Sequence, residues 1–489
     1  MAAAEQRQTV IERALSNLTG AWRDVANSAA RTIGLPEPLL PPTDRRALRR
    51  FMRECLDAKG GEVSARMQAA ELGQVYLEAD PAGRACFRQV LAEDFGVDYA
   101  KVKEATATFE AAVDEAERHR AAHELRQSLI PSRSALLRKF SALDNGVKFL
   151  VDLRADLLAE TNPTPALVAL DADFRDLLLS WFDFGFLDME QISWSSPAAL
   201  LEKLIAYEAV HEIRSWDDLR NRLDSDRRCY ALFHPRMPEE PLAFVEVALH
   251  DGLAESVQDL LDEEAPLANP SQADTAIFYS ISNTQAGLKG ISFGEFLIKC
   301  AVRRLSAEQP NIKTFATLSP VPGFARWLAK VDDDLLRAAV GDDSGKLTEA
   351  ASESDPAVAL RALLSRNGWS DDRKLCKSLK EPMMRLVAAY FQERRDNREP
   401  IDPVARFHLR NGARLERVNW RGDVSTKGLR QSHGIMVNYR YLPESMEANH
   451  ESYASDRRIA ASSDVKALLK AARGLASRKS SESEQRRSA

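Results

Sequence analysis

Residues 275–320 read TAIFYSISNTQAGLKGISFGEFLIKCAVRRLSAEQPNIKTFATLSP, and the fold is decided there. An apolar strand (Ala276, Ile277, Phe278, Tyr279) runs into a glycine-rich turn (Gly287, Gly290, Gly294). A helix over 295–305 and a second strand over 314–318 follow. Strand, glycine turn, helix and strand make a phosphate-cradling unit, because glycines let the backbone approach closely and the amides at a helix start offer donors and a partial positive charge. A glycine turn that binds nothing is the plain alternative, since short glycine patterns recur by chance. Other phosphate motifs fit less well: there is no G-x-x-x-x-G-K-[ST], and the spacing does not give G-x-G-x-x-G.

Upstream of this unit the texture differs. To about residue 180 the apolar residues recur at helical spacing, as in Val10, Ile11, Ala14, Leu15, Leu18, Trp22 and Val25, or Met67, Ala70, Leu72, Val75 and Tyr76. The spacing predicts one long charged helix over 101–129, stopped by Pro131, and another over 140–158. Beyond Trp181, β-rich runs at 229–233, 242–249, 276–281, 313–318 and 435–439 alternate with helical ones, and Ser196-Pro197 predicts a helix over 196–210 that opens this second part. The expected class is therefore α+β: an all-helical bundle over 1–180 suited to self-association, then a mixed α/β catalytic domain over 181–462. Residues 340–356 look like an exposed connection, and the basic, serine-rich tail 463–489 is expected to be unfolded.

Composition narrows the function classes. With 44% apolar residues the 489-residue chain can bury a substantial core. Its 67 basic and 73 acidic residues are interspersed, for a net charge of -6, so no cationic face for nucleic acid is expected. No run approaches the roughly 18 apolar residues of a membrane span. Cys55, Cys86, Cys229, Cys300 and Cys376 form no C-x-x-C pair, which fits a reducing, cytoplasmic setting and speaks against a cysteine zinc site. Acidic residues among Arg13, Arg23 and Arg31 are unlike an organelle transit peptide.

Several longer words are specific. Lys289-Gly-Ile-Ser-Phe-Gly294 resembles the coenzyme A loop of the N-acetyltransferase (GNAT) fold, with Lys289 and Ser292 departing from the usual Arg/Gln-x-x-Gly-x-Gly/Ala. Tyr279-Ser-Ile-Ser-Asn-Thr-Gln-Ala-Gly-Leu-Lys-Gly290 and Phe315-Ala-Thr-Leu-Ser-Pro-Val-Pro-Gly-Phe-Ala-Arg-Trp327 are similar to the malonyl-CoA decarboxylase family. So are Ser180-Trp-Phe-Asp-Phe-Gly-Phe-Leu187, Tyr207-Glu-Ala-Val-His-Glu-Ile213, His234-Pro-Arg-Met-Pro-Glu-Glu-Pro-Leu242, Phe407-His-Leu-Arg-Asn-Gly-Ala413 and Gly434-Ile-Met-Val-Asn-Tyr-Arg-Tyr441, in the family's order over roughly 140–460. The resemblance implies a helical domain followed by a GNAT-like catalytic domain that converts malonyl-CoA to acetyl-CoA and carbon dioxide. It implies catalytic Ser319 and His408, and a malonyl site at Ser280 with Ser282, Thr284, Gln285 and Tyr439. It further implies a coenzyme phosphate loop of Lys289, Gly290, Ile291, Ser292, Phe293, Gly294 and Glu295. No metal or separate cofactor is implied, coenzyme A being part of the substrate. The implied assembly is a homo-oligomer such as a tetramer, whose subunit number the sequence does not carry. The family often has an acidic residue where Ser292 stands.

These residue types suit the chemistry. Losing carbon dioxide from a malonyl thioester leaves an enolate, which needs fixed donors at the thioester oxygen and a proton at C2. His408 is expected to be the general acid, since a histidine can be protonated near neutral pH, and Ser319 to bond the carboxylate or relay its proton. Amides following the 276–281 strand, with Ser280, are the expected oxyanion contacts. Two other functions fit the same loop: a coenzyme A-dependent acyltransferase, or an acyl-CoA-binding protein that does not turn over. His119 and His123 at i, i+4 lack an H-E-x-x-H context and are expected to face solvent. His211 is expected at a helix end, His234 in a turn and His433 in a loop, while Trp181, Phe182, Phe184 and Phe186 are expected at a domain junction.

Overall fold

The computed structural model describes residues 44–57, 62–291, 293–341 and 344–472. The expected first helix over 10–25 and the end of the tail, 473–489, lie outside them.

To Trp181 the described chain is helical, as its period predicts, but two expected helices are each broken in two. The charged run divides into Tyr99–Ala111 and Glu115–Ser128, because Asp114 accepts from the Glu117 amide at 2.7 Å while the Glu117 carboxylate takes the Val113 amide at 3.1 Å. The arrangement resembles a capping box, with the returning carboxylate on the amide before the N-cap, and it favours a new helix start here. The second run divides into Arg133–Ser141 and Gly146–Leu158, with Asn145 left-handed at φ 56°. A Cβ on Gly146 would lie 1.9 Å from the Phe140 carbonyl oxygen, so only glycine allows the turn. The helices bury Leu48, Phe87, Leu150, Phe174 and their neighbours in one core. Helices Gly146–Leu158 and Pro165–Trp181 also reach the second core, through Val147, Val151 and Leu178.

That second core lies against one sheet of eight strands, in the order β1-β2-β3-β4-β5-β8-β6 with β7 also on β8. The strands are β1 (Asp188–Ile192), β2 (Arg227–Phe233), β3 (Ala243–His250), β4 (Thr275–Asn283), β5 (Thr314–Thr317), β6 (Ser319–Pro320), β7 (Arg414–Asn419) and β8 (Met436–Tyr441). β1 and β7 have no counterpart among the expected strands; both are short and largely polar, so their alternation is weak. Only β4 and β5 are parallel, joined through the helix Gly294–Glu308. Their pairing ends at Phe278↔Thr317. Beyond it β4 continues on β3 alone, with a register shift that leaves Tyr279 unpaired, while β6 continues on β8. The two strands therefore part into a wedge, and the bulge marks its apex. The class is α+β, and the second part has the GNAT-type layout: a largely antiparallel sheet opened between one parallel pair.

Two further expectations are corrected. Residues 344–351 of the supposed exposed connection form a helix with Leu347 fully buried. The tail expected unfolded from 463 continues as a helix over 463–472 that buries Val465, Leu469 and Ala472. Composition suggested solvent there, but the apolar side of the segment packs into the second core. No helix of the described residues is long and apolar enough to cross a membrane.

Behind β4, one buried guanidinium faces two buried carboxylates. Arg222 donates to Asp218 at 2.7 Å and to Glu246 at 3.0 Å. Burial, with Glu208 nearby, pushes Glu246 up from 4.5 to about 8 against the pull of Arg222. The folded chain thus holds a proton that the unfolded chain releases near 4.5, so this stability is full below that pH and declines as pH rises towards 8. Glu246→Gln, which stays neutral, is expected to remove a slope of ~1.4 kcal/mol per pH unit over that window. Urea melts of both chains at pH 5 and pH 8 check this; an unchanged difference in stability would mean that Glu246 is ionised throughout.

Candidate active site

The site forms at the carboxyl ends of the parallel pair, where the wedge opens and where open sheets with parallel strands generally bind ligands. Ser319, two residues beyond Thr317, the last residue of the parallel ladder, starts β6. His408 lies near the end of the helix Pro403–Arg410, whose first turn is capped by Asp402 accepting from the Ala405 amide at 2.7 Å. The tertiary fold closes 89 residues of separation: Ser319 Oγ lies 3.0 Å from His408 Nε2. On the far side of the ring, Nδ1 lies 2.8 Å from the Tyr441 hydroxyl. Ser319 also donates to Thr317 Oγ1 at 2.9 Å, and Thr317 Oγ1 accepts the Tyr439 amide at 3.1 Å. Tyr439 stacks on the imidazole, with ring centroids 4.5 Å apart and planes at 24°.

This string is almost dry: Ser319, His408, Tyr439 and Tyr441 are all buried. Burial lowers His408 to about 3, so the resting ring is neutral. This corrects the expectation of an imidazole that carries its proton near neutral pH, because removing water penalises the cation.

The other expected site residues fall into two groups. Ser280 donates to both carboxylate oxygens of Glu208, at 2.7 and 2.8 Å, and Ser282 donates to the same group at 3.0 Å. Each hydroxyl has a single proton, so neither has one to spare for a malonyl carboxylate or thioester oxygen. Glu208 also accepts the amides of Val210 and His211, both at 2.8 Å, which fixes the chain after the helix Ala198–Tyr207 against β4. Thr284 donates to the Pro241 carbonyl, and Gln285 donates to it at 3.1 Å. These two anchor the end of β4, and among the described residues neither is hydrogen-bonded to Ser319 or His408.

The glycine loop is held by main chain. Ile291 and Phe293 bury their side chains in the core, so neither side chain is offered to a ligand. Gly290 has φ 87°, a conformation that favours glycine. A Cβ on Gly294 would lie 2.5 Å from the ring of Phe407, the neighbour of His408, so the loop and the histidine helix touch. Phe293, the N-cap of the helix beginning at Gly294, makes no side-chain cap bond, so among the described residues no side chain caps the first amides, which suit an anion. Lys289 is exposed beside it, Ser292 lies outside the described residues, and Glu295 is the second residue of the helix.

Tyr441, Thr317 and Glu208 had no expected role. Tyr441 follows Tyr439, and Thr317 precedes Ser319, at the two-residue spacing that puts strand side chains on one face; that period was the available signal. His234 sits in a turn and accepts the Arg236 amide at 3.0 Å, with Phe182 4.7 Å from its ring, at the junction where the aromatics were expected. His433 caps its helix in a left-handed conformation, and His211 lies just past its helix. His119 is exposed beside Glu115. Among the described residues no group of three or more His, Cys, Asp or Glu is placed to hold a metal ion.

Fold and site together define a GNAT-fold protein whose wedge holds a serine, a histidine and a tyrosine in one hydrogen-bonded line. The family described as malonyl-CoA decarboxylase C-terminal domain matches residues 185–479, and its N-terminal domain matches 95–182. The mitochondrial malonyl-CoA decarboxylase of Anser anser anser is 35% identical over 449 residues, 88% of this chain and 86% of that protein. That of Rattus norvegicus is 37% identical over 410 residues, 80% of this chain and 82% of that protein. The crystal structure of malonyl-CoA decarboxylase from Rhodopseudomonas palustris superposes with a TM-score of 0.77 at 43% identity, covering 87% of this chain and 99% of the other. That from Agrobacterium vitis gives 0.77 at 41%, covering 86% and 99%. The chain belongs to the malonyl-CoA decarboxylase family.

Proposed function

We propose that the protein decarboxylates malonyl-CoA to acetyl-CoA, with His408 as proton donor and Ser319 as its relay. The observation that carries this is the buried line Tyr441, His408, Ser319 at the mouth of the wedge, beside an anion-receptive loop. A malonyl carboxylate lodged against the ring brings a negative charge into a dry site and raises the histidine's proton affinity. The substrate thereby recruits the proton that the empty site refuses. The C–C bond to the carboxylate then breaks, its electron pair passes into the thioester as an enolate, and carbon dioxide leaves uncharged. The imidazolium Nε2 gives its proton to Ser319 Oγ as the serine's own proton turns from Thr317 Oγ1 to C2, and the imidazole returns to neutral until solvent reloads it. The edge of β4 beyond Phe278, which has lost its strand partner, offers main-chain amides to the enolate oxygen. Thr317 holds Ser319, and Tyr439 lines the site by stacking on the ring.

No cofactor beyond the coenzyme in the substrate is proposed, because the thioester is itself the electron sink. Retention of full turnover in a chelator supports this, and loss of turnover would overturn it. We place the enzyme in the cytoplasm as a homo-oligomer, with no nucleic acid or membrane partner. The five unbridged cysteines and the interspersed charges support that placement.

The test is malonyl-CoA supplied alone. Carbon dioxide and acetyl-CoA in equal amounts, with one deuterium in the acetyl methyl when the solvent is D2O, are the expected products. Unchanged malonyl-CoA that is consumed only with an amine would indicate an acyltransferase, and binding without turnover an acyl-CoA-binding protein. Ser319→Ala, measured the same way, is expected to lower kcat by about 10², as for loss of one aligned donor in the transition state. Wild-type kcat in that variant would take Ser319 out of the relay.

A further inference from the structure

The helical region grips the glycine loop directly. Arg154, on the helix Gly146–Leu158 and 2% exposed, donates Nη1 to the carbonyls of Gly287 at 2.7 Å and Lys289 at 3.1 Å. Its Nε donates to Asp171 at 2.8 Å. A trans peptide is planar, with its C=O and N–H pointing opposite ways. Drawing the Lys289 carbonyl towards Arg154 therefore turns the Gly290 N–H outward, whereas the flanking amides are occupied: Lys289 donates to Ala286 at 3.2 Å and Ile291 to Leu288 at 3.0 Å.

One helical turn beyond Asp171, on the same face of the helix Pro165–Trp181, stands Arg175. Its Nε lies 3.8 Å from where a Cβ on Gly290 would be. Arg175 is exposed, and neither its guanidinium nor the Lys289 ammonium has a recorded partner among the described residues. An outward amide at a left-handed glycine, two unpaired cations and an uncapped helix start thus converge on one spot. Two of the four elements present donors in fixed directions, as a phosphate oxygen needs.

We propose that Arg175, contributed by the helical region, is a direct ligand of the coenzyme's phosphate groups. It completes with Lys289 and the Gly290 amide a seat that the mixed domain alone leaves open on one side. This rests on the function proposed above. Arg154 is a positioning residue for the same seat, since it acts on the loop rather than on the ligand. The helical region thereby has a part in substrate binding in addition to any part in assembly.

The test compares full-length Arg175→Ala and Arg175→Lys with wild type on malonyl-CoA, malonyl-3′-dephospho-CoA and malonyl-pantetheine. Arg118→Ala, an exposed arginine on the helix Glu115–Ser128, is the control. Arg175→Ala is expected to raise KM for malonyl-CoA roughly tenfold, the scale of one lost charge-assisted hydrogen bond near solvent, with kcat unchanged. Arg175→Lys should recover part of the loss, and malonyl-pantetheine, which has no phosphate, should show none. If malonyl-3′-dephospho-CoA shows the effect in full, the ligand group is the diphosphate; if the effect vanishes there, it is the 3′-phosphate. An unchanged KM for malonyl-CoA, or an equal rise with malonyl-pantetheine, overturns the proposal. Calorimetric binding of free coenzyme A to the same variants keeps it apart from the reaction: a tenfold weaker Kd in Arg175→Ala supports the contact even if no carbon dioxide is released, and an unchanged Kd ends it.

Discussion

His408→Asn is expected to slow turnover by roughly 10² to 10⁴, the usual contribution of a positioned general acid, while coenzyme A binding stays largely intact. The loop proposed to hold the coenzyme touches this helix through Gly294 and Phe407, not through the imidazole, so binding and proton delivery are expected to be separable. The pH dependence follows from the same burial. In the free enzyme the ring titrates at about 3, so kcat/KM has no inflection from His408 between pH 5 and 8. The substrate carboxylate raises that value in the complex, and kcat should fall as pH rises through it, because fewer rings then carry the proton. The asparagine variant should lose this decline. Steady-state kinetics across the pH range, with coenzyme A binding measured in parallel, decide the matter: a kcat near wild type in His408→Asn would remove the histidine from the mechanism.

Gly287→Ala is expected to damage stability and coenzyme affinity together. A Cβ at this position would stand 1.7 Å from the Val151 carbonyl oxygen and 2.7 Å from its carbon. Both are backbone atoms of the helix Gly146–Leu158 and have no rotamer to yield. The helix and loop must separate, at a cost of about 3 kcal/mol or more on the scale of overpacked interiors. The same separation loosens Arg154 from the Gly287 carbonyl, so KM for malonyl-CoA should rise as the melting temperature falls. Gly345→Ala is the contrast: it lies in a helix with open space around the added methyl, and a gain of up to ~1 kcal/mol is expected there. Differential scanning calorimetry with KM measurements separates the two, and an unperturbed Gly287→Ala would show that the helical region does not brace the loop.

The elements that were legible in the sequence are those whose pattern is local. The strand, glycine turn, helix and strand of 275–320 stand where the residues placed them, because β-branched and aromatic runs, glycines and a helical stripe each act over a few neighbours. The helix breaks at Asp114 and Gly146 were legible too, through a capping-box-like pattern and an Asp-Asn-Gly turn, but the longer hydrophobic period masked them. β7 and the 463–472 helix were not, since their stability comes from partners distant in the chain. Leu415 of β7 pairs with Tyr439, and Val465 fills the core beneath the sheet.

Residue types and spacing by themselves determined the order of strand, glycine turn, helix and strand, and the resemblance to the malonyl-CoA decarboxylase family pointed to Ser319 and His408. Only the tertiary structure decided their state. It set the two 3.0 Å apart, drew Tyr441 to the other ring nitrogen, gave the Ser280 and Ser282 protons to Glu208 and laid Arg154 and Arg175 against the loop. Proton affinity and hydrogen-bond commitment depend on how much water is excluded and on which polar atoms arrive from elsewhere in the chain, and neither is written in the order of neighbouring residues.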